Sequence, residues 1–76
     1  MKLSYDPKYN VAYIRFHEQA GTVTTIKISD EMNIDMASDG TVYGIELLNA
    51  KEQLTKDHGA LIVEWGNQLR EITLVG

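Results

Sequence analysis

The sequence predicts a mainly β protein of the α+β class: a five-stranded antiparallel meander, one short helix and a C-terminal β-hairpin. Three observations carry this. Segments of about five to seven residues with alternating polarity and β-branched or aromatic content follow one another. Turn residues punctuate them, at Asp6-Pro7, Asp39-Gly40 and Gly66-Asn67. A helical signature occurs in one place, after Asn49. With 76 residues there is no room for a second core and a linker, so the chain reads as a single domain over 1–76.

The first strand is expected over Lys2 to Tyr5 and the second over Val11 to Phe16. Between them Pro7 presets φ for a turn, the Asp6 side chain accepts from a nearby backbone N–H, and Asn10 tolerates a left-handed conformation. Setting Asp6 opposite Val11 pairs Leu3 with Ile14 and Tyr5 with Ala12 on one face, which Phe16 continues. His17 to Gly21 reads as a loop. Thr22 to Ile28 reads as a third strand, with Ile26 and Ile28 pointing one way and Thr25 and Lys27 the other. Asp39-Gly40 reads as a two-residue hairpin turn with positive φ at both positions. Pairing Ser38 with Thr41 then sets Met36 opposite Tyr43, Ile34 opposite Ile45 and Met32 opposite Leu47. The reverse face carries Asn33 with Glu46, Asp35 with Gly44 and Ala37 with Val42, and a slip of one residue would bury the carboxylates.

Asn49 and Glu52 have the spacing of a capping box, and Gly59 suits a left-handed stop, so a helix is expected over Ala50 to His58. Its apolar stripe is only Ala50 and Leu54, so it depends on docking. Ala60 to Trp65 and Gln68 to Val75 form the terminal hairpin. A two-residue loop at Gly66-Asn67 places Leu61, Val63, Trp65, Ile72 and Leu74 on one face, with Arg70 opposite Val63. A three-residue loop would instead align Glu64 with Arg70; the two-residue loop is preferred.

Apolar types at 43% and charged types at 24% are the balance of a folded globular chain rather than a disordered one. Without cysteine there is no disulfide framework, thiolate nucleophile or cysteine zinc site. Met1-Lys2-Leu3 leads into a strand-like segment and no run approaches a membrane span, so a cytoplasmic protein with no membrane partner is expected. A net charge of −4 argues against nucleic acid, whose affinity rests on clustered Lys and Arg, and makes a small basic protein the more plausible foreign partner.

Tyr5-Asp6-Pro7, Ala12-Tyr13-Ile14, Asp35, Asp39-Gly40 and Val42 through Ala50 together resemble a family of small prokaryotic proteins, the domain of unknown function numbered twenty-two eighty-three. The resemblance spans about residues 3 to 50, with Gly44-Ile45-Glu46 after Asp39-Gly40 as its most specific part. The chain departs from the family pattern at Asn10, where an acidic residue is common, at Met36 and Ala37, and at Lys51, where a serine is common. The resemblance implies the fold and supplies no activity or cofactor. Some members are thought to sit beside small toxin-like proteins, which would imply an antitoxin-like partner role.

Asp35, Asp39 and Glu46 are the carboxylates that the polar face of the fourth and fifth strands could gather, Asp35 and Glu46 as diagonal neighbours within reach of a shared cation or a substrate proton. That arrangement would suit a small hydrolase. Each also has a local explanation: a turn for Asp39, a solvated face for Asp35, and pairing with Asn33 for Glu46. The spacing does not match a calcium loop. His17 falls in a loop, and His58 falls where a helix C-terminus favours a cation. Neither a nucleophile elbow nor a phosphate-cradling loop nor a zincin motif occurs. The expectation is therefore a protein without enzymatic activity, cofactor or metal.

Tyr5, Tyr9, Tyr13 and Tyr43 do not share a face, which weakens any base-stacking role. Association has the stronger basis. One sheet face carries Leu3, Tyr5, Ile14, Phe16, Ile26, Ile28, Met32, Ile34, Met36, Tyr43, Ile45 and Leu47, and a helix of nine residues is only about 14 Å long. Either the terminal hairpin folds over this face or a second copy covers it, and a symmetric homodimer is the expected form. Tyr13, Arg15, Asp35, Glu46 and Trp65 are the candidate interaction surface for protein binding.

Overall fold

A computed structural model describes residues 1–18, 21–56 and 59–74. In chain order it contains β1 (Lys2–Asp6), β2 (Val11–Arg15), β3 (Thr24–Ser29), β4 (Met32–Met36), β5 (Val42–Leu48), α1 (Ala50–Thr55), β6 (Leu61–Trp65) and β7 (Gln68–Ile72). The first five strands form one antiparallel sheet and the last two a separate hairpin. The mainly β class, the short helix and the terminal hairpin are thus as the sequence predicts. Strand order is not the sequential one of a meander, because β5 lies between β2 and β4 and β3 is at the edge, giving β1-β2-β5-β4-β3. Composition explains the exchange. β5 is the longest strand and apolar enough for a central place, whereas Thr24–Ser29 is exposed at every position and suits an edge. β3 therefore lies three strand spacings from β2, about 14 Å.

The β1–β2 register is the expected one, with Leu3 opposite Ile14 and Asp6 opposite Val11. Asp6 Oδ1 accepts from the Lys8 N–H at 2.9 Å, and Asn10 is left-handed at φ 55. At Asp39-Gly40 the turn differs from the expectation. Gly40 N–H donates to the Ala37 carbonyl and Ala37 N–H to the Thr41 carbonyl, so Ser38, Asp39 and Gly40 form a three-residue loop in which positive φ falls on Gly40 and not on Asp39. A bulge then sets Met36 opposite Val42 rather than Tyr43. The two one-residue shifts cancel, and Asp35–Gly44, Ile34–Ile45, Asn33–Glu46 and Met32–Leu47 pair as the hydrophobic pattern requires.

The helix is shorter than expected, ending at Thr55, whose carbonyl accepts from Gly59 N–H at 2.8 Å, with Gly59 at φ 70. The role expected of His58 lies outside the described residues. Asn49 does not cap the helix: it adopts φ 50 and makes no side-chain cap bond. Asn10, from the β1–β2 turn, caps it instead. Its carbonyl accepts from Ala50 N–H, its Oδ1 from Lys51 N–H at 2.8 Å, and its Nδ2 donates to Glu52 Oε2 at 2.6 Å. This is a capping box closed across the fold rather than along the chain.

The hairpin keeps the two-residue loop, with Leu61 opposite Ile72, Val63 opposite Arg70 and Trp65 opposite Gln68. Positive φ at Gly66 but not at Asn67 is the pattern of a type II′ turn. The strand expected to run to Val75 ends at Ile72, and Val75 lies outside the described residues.

Ala12, Leu47 and Ala50 are the buried centre, flanked by Tyr5, Met32, Ile45 and Leu54. The helix therefore roofs the row Tyr5–Ala12–Leu47–Met32. It does not roof the adjacent row, Leu3–Ile14–Ile45–Ile34–Ile26, which runs aliphatic across all five strands. Leu3, Phe16, Ile26 and Ile28 are exposed, and among the described residues no large side chain is fully buried. The radius of gyration is 13.7 Å, against about 11.4 Å for a compact chain of this length. No described helix is long and apolar enough to cross a membrane.

Candidate interaction surface

Tyr13, Arg15, Asp35 and Glu46 lie on one face of the sheet, opposite to the helix. Alternation along β2, β4 and β5 puts them there: Tyr13 faces Glu46, Arg15 faces Gly44, and Gly44 faces Asp35. Trp65 is not with them. It stands on the hairpin and is 80% exposed. The five candidate residues therefore form two surfaces, one polar on the sheet and one aromatic on β6.

The polar surface is organised around Gly44. A Cβ at this position would overlap the ring and hydroxyl of Tyr13, which lie across the β5 backbone. That passage lets a β2 side chain reach β4: Tyr13 Oη–H donates to Asp35 Oδ2 at 2.7 Å. From the other side Thr25 Oγ1–H donates to Asp35 Oδ1 at 2.6 Å. One carboxylate thereby ties β2, β4 and β3 together over β5. Partial burial, and then the bond to Asp35, push the Tyr13 hydroxyl from its ordinary value of 10.0 up to about 12. Glu46 Oε1 accepts from Asn33 Nδ2 at 2.9 Å, the expected pair.

Asp35 and Glu46 are diagonal neighbours as the register requires, each already engaged by another strand. No group of three His, Cys, Asp or Glu side chains converges as a metal site among the described residues. Asp39 is occupied by its turn, accepting from Thr41 N–H at 2.9 Å, and that bond holds its carboxyl below the usual range. Arg15 pairs with Glu18 at 3.2 Å on the surface. His17 stands edge-on to Tyr43, ring centres 6.4 Å apart. A shallow depression lined by Glu31, Glu52, Gln53 and Lys56 opens beside the helix and shares no residue with the Tyr13–Asp35 network.

The sequence reading overlooked Gly44 as the residue that admits Tyr13, Thr25 as a ligand of Asp35, and Asn10 as the helix cap. The first had a legible signal, since a glycine inside an otherwise apolar strand marks close approach of another group. Asn10 had none, because its helix partners lie 41 and 42 positions away, and Thr25 follows only from the β3–β4 register that sets it opposite Asp35.

Comparison with known proteins gives one family. Residues 2–51 match the model of the family described as "Protein of unknown function (DUF2283)". No curated protein and no solved structure matches the chain.

Proposed function

As this chain belongs to the DUF2283 family, for which no activity is stated, we propose that it acts as a non-catalytic protein–protein interaction module and as a cytoplasmic homodimer. The observation that carries this reading is the unroofed aliphatic row. The chain exposes 5755 Å², whereas a compact monomer of 8.6 kDa exposes about 4,700 Å². The surplus of about 1,050 Å² is comparable with the roughly 800 Å² that each partner buries in a standard interface. Exposed aliphatic side chains gathered on one face of a small protein, here Leu3 and Ile26 at the two ends of the row, mark an association site. The engagement of Asp35 by Tyr13 and Thr25, and of Glu46 by Asn33, supports a structural rather than a catalytic role for those carboxylates.

Light scattering and sedimentation over a concentration series test the homodimer. A mass of two chains that dissociates on dilution is expected, and a single-chain mass at every concentration would remove the reading. The net charge of −4 favours, as a second reading, an antitoxin-like role against a small basic protein. Co-expression with the product of a neighbouring gene for such a protein tests it, and failure of the two to co-purify at low salt counts against it.

A further inference from the structure

We propose that the β6–β7 hairpin of each copy is the cover for the open aliphatic face of the other copy's sheet, so that two chains close on each other reciprocally. This rests on the homodimer reading and specifies how the dimer is built.

A two-stranded ribbon is marginal by itself and needs a surface to pack on. In this hairpin, among the described residues, only the start of β6, at Leu61 and Ile62, is partly covered by its own chain. The hairpin's register puts Leu61, Val63, Trp65 and Ile72 on one face together with Arg70 and Gln68, and of the apolar four Val63, Trp65 and Ile72 are exposed. Its principal contact with the rest of the fold is through α1. The sheet meanwhile leaves Leu3, Phe16, Ile26 and Ile28 in water. Two apolar surfaces on one chain that do not cover each other call for a second copy, which offers the same two surfaces and makes both contacts at once under two-fold symmetry.

The dimensions agree. Five-residue strands make the hairpin about 17 Å long, and the row Leu3–Ile14–Ile45–Ile34–Ile26 spans four strand spacings, about 19 Å. Trp65 is the largest exposed apolar side chain and the residue type that most often anchors an interface. It sits at the hairpin tip, beside the Gly66-Asn67 turn.

The chain contains no cysteine, so introduced thiols report only the positions chosen. Copies carrying W65C are mixed with copies carrying I34C, allowed to exchange, and treated with a short bis-maleimide cross-linker. In parallel, dimer dissociation of W65A is measured by sedimentation equilibrium, with circular dichroism to verify folding. The expected result is a mixed W65C–I34C product of two-chain mass, together with dimer weakening by W65A of about tenfold or more. Strong I34C self-linking with W65A dimerising like the parent would mean that two sheets pack face to face; it overturns the hairpin cover and leaves the homodimer standing. A W65C/I34C double variant that cross-links within one chain, at single-chain mass, also overturns it, because the hairpin then roofs its own sheet. Single-chain mass for the unmodified protein at every concentration removes the homodimer and this inference together.

Discussion

At the scale of single residues, the molecule turns on an absent side chain. Gly44 leaves a gap in the polar face that the Tyr13 ring occupies, and Asp35 waits at its far end. Gly44→Ala forces the ring to move and is expected to destabilise the fold by about 1–3 kcal/mol, as overpacking does. In a Tyr13→Ser background the same substitution should cost far less, and a double-mutant cycle on thermal unfolding checks the coupling. The raised Tyr13 hydroxyl gives a pH dependence of definite sign. Because the folded form holds its proton more tightly than the unfolded chain, its contribution is present in full below pH 10 and lost as pH rises through about 12. Denaturant midpoints of the parent and Tyr13→Phe should therefore differ most at neutral pH, the parent losing stability more steeply in alkali. Parallel curves for the two proteins would show that the Tyr13–Asp35 bond contributes nothing.

At the scale of the elements, α1 is held by a turn that is distant in sequence. A six-residue helix cannot persist on propensity, and its first donors are satisfied by Asn10. Asn10 and Asn49 both have positive φ, at 55 and 50, so glycine suits either backbone. Substitution to glycine therefore isolates the side-chain bonds. Asn10→Gly, which removes the side-chain bonds to Lys51 N–H and Glu52, is expected to cost about 1–2 kcal/mol and Asn49→Gly less than about 0.5 kcal/mol, read from chemical denaturation. Asn10→Asp separates the two halves of the cap. It keeps an acceptor for Lys51 N–H but sets a carboxylate against Glu52, whose carboxyl the Asn10 amide otherwise holds below its usual range. The variant should be destabilised at neutral pH and draw level with the parent as pH falls through the carboxylate range. A gap that stays constant with pH would mean the Asn10–Glu52 bond is not formed in solution.

For the whole molecule, the balance lies between a short chain and a wide sheet. Among the described residues the buried apolar side chains are Ala12, Leu47, Ala50 and Ala60, so association and folding are expected to be linked. The melting temperature should rise with protein concentration, because ligation of the native state by a second copy stabilises it by mass action. Ile26→Lys, placed on the exposed edge strand, should lower the melting temperature and abolish that dependence, measured by calorimetry at two concentrations. A melting temperature indifferent to concentration in the parent would argue that the open face is tolerated by a monomer.

Legible without coordinates were the class, the strand boundaries to within a residue or two for most elements, the β1–β2 register, and the pairing of Ile34 with Ile45 and Asn33 with Glu46. These follow from local rules: alternation assigns faces, turn residues mark reversals, and burying a carboxylate is costly enough to exclude a slipped register. The sequence even recovered the central β4–β5 register through a turn assigned one residue too short, because the bulge that compensates is demanded by the same hydrophobic pattern. Tertiary structure alone decided that β5 inserts beside β2, that Asn10 rather than Asn49 caps the helix, and that Tyr13 crosses Gly44 to reach Asp35. Each joins residues 22 to 42 positions apart in the chain, and only the folded backbone, not any local propensity, sets which distant groups become neighbours.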